Sequence, residues 1–157
     1  MIRRPAIDEL VALWQMQLME SENVLFSQSY VGKASTAIIA MLTDDPQSFS
    51  DMHRLPADEI WHFYLGDAIE LLLLAPNGDG EVVILGQDVL QGERVQYVVP
   101  AGVWMGARVR PGGHYAVFGN TMAPGFSVDD FEAAVAADLI AQWPQHKNLI
   151  RALTQLK

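Results

Sequence analysis

The chain of 157 residues is half apolar and 18% charged, enough to bury a core unaided and too sparsely charged for a disordered chain. Nineteen acidic against ten basic residues leave a net charge of −9, which argues against a nucleic-acid partner, because phosphate backbones are gripped by clustered Lys and Arg. With no cysteine there is no thiolate nucleophile, thiolate metal site or disulfide, a composition that suits the cytoplasm.

Asp8 and Glu9 interrupt the N-terminus where a secretory signal needs an apolar run. The longest apolar runs fall far short of the roughly 20 residues of a membrane-spanning helix, so no membrane partner is expected. From Pro5 to Met19, the residues Ile7, Leu10, Val11, Leu13, Trp14 and Leu18 recur at three- and four-residue steps, which predicts an amphipathic helix over 5–19. The texture then changes to short β-branched and aromatic segments. Strands are predicted over 24–30, 36–43, 58–65, 68–75, 81–86, 94–99, 103–110 and 115–122, separated by turn signals such as Asn77-Gly78-Asp79-Gly80 and Pro111-Gly112-Gly113. Such regular spacing is that of an all-β sandwich or barrel.

After Pro124-Gly125 the period returns to helical, with Ser127 or Asp129 as cap, Phe131, Val135, Leu139 and Ile140 as the apolar face, and Pro144 as the break. A last helix is expected from Asn148 to Leu156, so that helices fill about 128–156. Without an internal repeat or linker, residues 1–157 are read as one folding unit whose helices cover barrel edges or an oligomer face.

Chemistry is concentrated between Asp51 and Gly66. Strand alternation puts Glu59, Trp61 and Phe63 on one face and Ile60, His62 and Tyr64 on the other. His53, six residues before Glu59, and Gly66, seven after it, resemble the first motif of the cupins. The run from Val98 to Arg108 resembles the second, with its Pro100-Ala101-Gly102 turn. Together with Ala123-Pro124-Gly125-Phe126 before an acidic helix, these stretches are similar to an uncharacterised family of small cupins, from about Ser21 onward. The resemblance implies a double-stranded β-helix (the cupin jelly roll), a homodimer, and a cavity inside the barrel; the family has no assigned reaction.

Where cupins carry metal-binding histidines, this chain has Asp51 and Met105, and a His-Pro-Glu-Gly-Gly segment frequent in the family corresponds to Met19-Glu20-Ser21-Glu22-Asn23. Imidazole and carboxylate suit iron, manganese, nickel or zinc, with His53 and Glu59 as candidate ligands, although a catalytic metal usually takes three protein ligands. Asp51 could add an oxygen; alternation turns His62 away.

Three functions are compatible with these residues. In the first, the barrel binds a small molecule through His53 and Glu59, with Trp61, Phe63, Tyr97, Trp104, Met105 and Arg108 lining the pocket. The second is an enzyme: either a metal-dependent cupin, or a sugar epimerase or isomerase in which His53, oriented by Asp51 or Asp58, removes a proton and Tyr97 or Tyr115 returns one. The third is a non-catalytic dimeric structural or regulatory module, in which His53 is a hydrogen-bonded residue of the barrel mouth and the aromatics are core.

Overall fold

The computed structural model describes residues 3–155. In chain order the elements are α1 (Ile7–Trp14), β1 (Gln17–Leu18), β2 (Leu25–Val31), β3 (Thr36–Thr43), β4 (Ser50–Arg54), β5 (Glu59–Gly66), β6 (Ile69–Leu74), β7 (Gly80–Leu85), β8 (Gln96–Val99), β9 (Trp104–Val109), β10 (Tyr115–Met122), β11 (Glu132–Ala133), α2 (Ala136–Gln142) and α3 (Lys147–Ala152). One sheet runs β1-β2-β3-β10-β5-β8 and the other β11-β4-β9-β6-β7, both antiparallel.

The main core lies between the sheets. Ala40, Leu42, Phe63 and Phe118 from the first meet Ile69, Leu71, Met105 and Ala107 from the second. The outer faces are covered too. Leu10 and Met16 pack against Met41, Tyr115 and Val117 of the first sheet, while Leu139, Trp143, Ile150 and Leu153 pack against Met52, Leu72 and Leu74 of the second. Burial on both faces explains why β6 reads as an unbroken Leu71-Leu72-Leu73-Leu74 run rather than an alternation.

All eight anticipated strands are present within two residues of their expected ends, and β1, β4 and β11 are additional. The N-terminal helix is shorter than its apolar period implies. Gln15 takes the left-handed conformation (φ 49°), ending α1, and residues 17–18 pair with β2 instead. Leu13 and Leu18, counted on the apolar face, are 69% and 61% exposed.

The C-terminal helix likewise starts late. Ser127 Oγ does accept the Asp129 N–H (3.4 Å), but it caps only a 3-10 turn over Val128–Asp130. Glu132 and Ala133 then extend to pair with Arg54 and His53 of β4, so tertiary pairing overrides the local helical period. The last helix, expected from Asn148 to Leu156, spans Lys147–Ala152, and its expected end at residue 156 lies outside the described part of the chain.

Candidate functional site

On β5 the alternation expected from sequence holds: Glu59 and Trp61 point between the sheets into a cavity of about 200 Å³, and Phe63 continues into the packed core. Opposite them, Ser50 and His53 of β4 reach the same cavity because the register with β9 shifts between them. Glu22 joins from the segment before β2. The remaining wall is mainly apolar, from Val24, Phe26, Ile38, Phe118 and Met122, with the amides of Gln28 and Asn120 among them.

The polar groups are held individually. His53, 2% exposed, places Nδ1 2.6 Å from the Asp51 carbonyl oxygen, and its ring stacks on Phe131 at 4.7 Å and 16°. A carbonyl can only accept, so Nδ1 carries the proton and in the neutral ring Nε2 keeps the lone pair. Ser50 Oγ donates to Glu22, both side chains being buried.

Burial pushes the Glu59 carboxyl up to about 7; the nearby His53 imidazole opposes this, Glu22 adds to it, and the neighbouring Trp61 indole opposes it. Yet Trp61 Nε1–H makes no hydrogen bond among the described residues, and neither does Asn120 Nδ2.

His53, Glu59 and Trp61 are therefore brought together as expected, and several other candidates stand elsewhere. Phe63 and Met105 are core. Trp104, one residue out of phase with Met105, faces the C-terminal helices under the Arg54 guanidinium (4.5 Å). Arg108 pairs with Glu70 (2.9 Å) along a separate open groove with Arg110.

Tyr97 packs against the core rim and donates to Glu81 (3.0 Å), and Tyr115 lies beneath α1, donating to the Pro5 carbonyl (2.9 Å). Neither tyrosine lines the cavity. His53 is held by the Asp51 main-chain carbonyl, while the Asp51 carboxylate accepts the Gln155 N–H (3.1 Å) and the Asp58 carboxylate the Ala101 N–H (2.8 Å). His62 sits on the outer face of β5, bonded to Thr121 and Gln96.

The residues present do not fit the expected divalent metal. Glu22, His53 and Glu59 border one cavity, but among the described residues no three His, Asp or Glu side chains come close enough together to hold a cation. Asp51 is engaged with Gln155, and the Met105 thioether is a poor ligand for a hard ion.

Glu22, Ser50 and Asn120 were missed from sequence. The first lies in the segment corresponding to the family's His-Pro-Glu-Gly-Gly, the one available signal. Ser50 depends on an irregularity that alternation does not foresee.

Two antiparallel sheets rolled around a mostly apolar hollow with a few buried polar groups at one end define a double-stranded β-helix. The chain belongs to the cupin superfamily (DUF985), whose profile it matches over residues 13–134. Among solved structures it is similar to a protein from Shewanella oneidensis (27% identity, TM-score 0.88, covering 98% of this chain and all of that one). A hypothetical protein from Leishmania major is 25% identical (TM-score 0.84, 97% and 100% covered). An uncharacterised conserved protein with a double-stranded β-helix domain from Klebsiella pneumoniae shares the fold at 17% identity (TM-score 0.55, 86% and 99% covered). No curated protein matches the chain. No helix among the described residues is long and apolar enough to cross a membrane.

Proposed function

We propose that this cupin binds a small organic molecule inside its barrel, with His53 and Glu59 as the polar contacts. The carrying observation is the placement of buried Glu22, His53 and Glu59 around one end of a mostly apolar cavity. Burying such groups costs several kcal/mol unless something returns the lost hydrogen bonds, and a ligand does so. Native mass spectrometry of freshly purified protein tests this: a copurified molecule released on denaturation is expected. A ligand-free barrel whose Trp61 environment responds to no small molecule would refute it.

The second reading, an enzyme that moves a proton, is favoured by Glu59 held near 7 beside an imidazole whose Nδ1–H is committed to a carbonyl. Its mark would be deuterium incorporation at carbon in a bound molecule in heavy water, lost in Glu59→Gln. We further propose a cytoplasmic homodimer. The outer face of β5 and β8 leaves Tyr64 and Val98 46% and 47% exposed on either side of the His62–Gln96 pair, side chains that a second copy would cover. The same mass spectrum reads the subunit number.

A further inference from the structure

The cavity's unused hydrogen-bonding capacity is divided by type. Trp61 and Asn120 are directly paired across β5 and β10, which sets their Cβ atoms roughly 5 Å apart on one face. The Asn120 amide N–H meets no acceptor among the described residues, and the Trp61 indole N–H makes no hydrogen bond of ordinary geometry there, although it lies near enough to the Glu59 carboxyl to favour its ionised form. An indole nitrogen can only donate, and Trp61 is 1% exposed, fixed by stacking on Phe118 at 4.7 Å and 8°. That wall therefore asks for an oxygen acceptor. Beside it, Glu59, two residues along the same face of β5, joins Glu22, Ser50 and His53 in an end rich in acceptors.

Charge narrows the occupant further. Neither Lys nor Arg lines the cavity; Arg54 is engaged with Glu132 and Arg108 with Glu70. An anion would be desolvated next to two carboxyl groups with no cation to receive it, which is prohibitive in a low-dielectric site. At about 200 Å³ the space lies below the roughly 300–1,000 Å³ typical of drug-sized ligand pockets, so the occupant is compact.

Resting on the small-molecule reading above, we infer that the site selects an uncharged molecule no larger than a monosaccharide. Its carbonyl or ether oxygen is received by Trp61 and Asn120 and its hydroxyl by the Glu22–His53–Glu59 end, and phosphorylated and carboxylated molecules are excluded.

The test follows the Trp61 indole signal in ¹⁵N-labelled protein, assigned with Trp61→Phe, during titration with matched probes: benzyl alcohol, benzamide and D-xylose against benzoate and D-xylonate. Neutral probes are expected to move that signal saturably, with the anions at least about tenfold weaker; read at the side-chain amide of Asn120, which lines the same cavity, Trp61→Phe is expected to weaken the neutral probes about tenfold. The double variant Glu22→Gln, Glu59→Gln is expected to admit benzoate about tenfold better. Anions binding as well as neutral probes, or no gain in the double variant, would overturn the charge selection while leaving small-molecule binding intact. If no probe moves the Trp61 signal, both readings fall.

Discussion

Ser50 and His53 lie three residues apart on β4, yet both face the cavity, because they stand opposite Ala107 and Met105, which are only two apart on β9. One strand has an extra residue. This is the accounting of a β-bulge, which re-aims side chains beside functional sites, and here it assembles the polar end of the cavity.

Ser50→Ala removes the hydroxyl that donates to Glu22 and leaves a buried carboxyl short of a partner. Such losses cost about 1–3 kcal/mol. Urea unfolding should show that decrease with an unchanged slope, whereas a variant as stable as the parent would mean the Ser50–Glu22 contact is energetically idle.

Glu59 gives stability a dependence on pH. Its folded-state value, about 7, is raised above the ordinary 4.5, so the folded chain holds the proton more tightly than the unfolded one. Its contribution is then full below about pH 4.5 and is lost as pH rises to 7, by on the order of a few kcal/mol. Glu59→Gln cannot titrate, so its stability relative to the parent should climb across that window and level off above it. Parallel pH profiles for the two proteins would contradict the burial of this carboxyl.

Asp67 carries the opposite sign. Arg4 holds it at about 2, helped by the His114 and Tyr115 N–H groups at 2.6 and 3.3 Å. Its contribution is present above about pH 4 and lost as pH falls through 2. Asp67→Asn should cost about 1 kcal/mol at neutral pH, a modest figure because the half-exposed Arg4 is screened, and acid unfolding should begin at higher pH than in Asp67→Glu.

Much of this was legible in the sequence, for physical reasons. Strands of period 2 between Gly and Pro turns announced eight of the eleven strands, and alternation alone put Glu59 and Trp61 together. The same rule, applied to β9, separates Met105 from Trp104 and Arg108, so those three could never have shared one pocket. Illegible were the features that depend on distant partners. Glu132 and Ala133 sit in a helical period but extend to pair with β4, and Glu22 becomes a cavity residue only once β4 brings Ser50 to it. Gly66, by contrast, marks a local demand: its φ is +101° and a Cβ would come within 2.3 Å of the Tyr115 carbonyl oxygen. Gly66→Ala should therefore cost more than about 1 kcal/mol, visible as a lowered melting temperature.

The C-terminal helix supports the site from behind. On the outer face of β4, Met52 N–H donates to the Leu153 carbonyl (2.8 Å) and Asp51 accepts from Gln155 (3.1 Å), while on the inner face the same strand carries Ser50 and His53. Ile150, fully buried beneath Met52, Leu72 and Leu74, has no contact with the cavity lining. Ile150→Ala should nonetheless cost about 2–5 kcal/mol through the void it leaves, and hydrogen exchange should speed up at the β4 amides more than at those of β5, because β4 loses outer backing and β5, in the other sheet, does not. Uniform acceleration of both strands would mean that the helix stabilises the barrel as a whole and has no particular hold on the strand that presents His53.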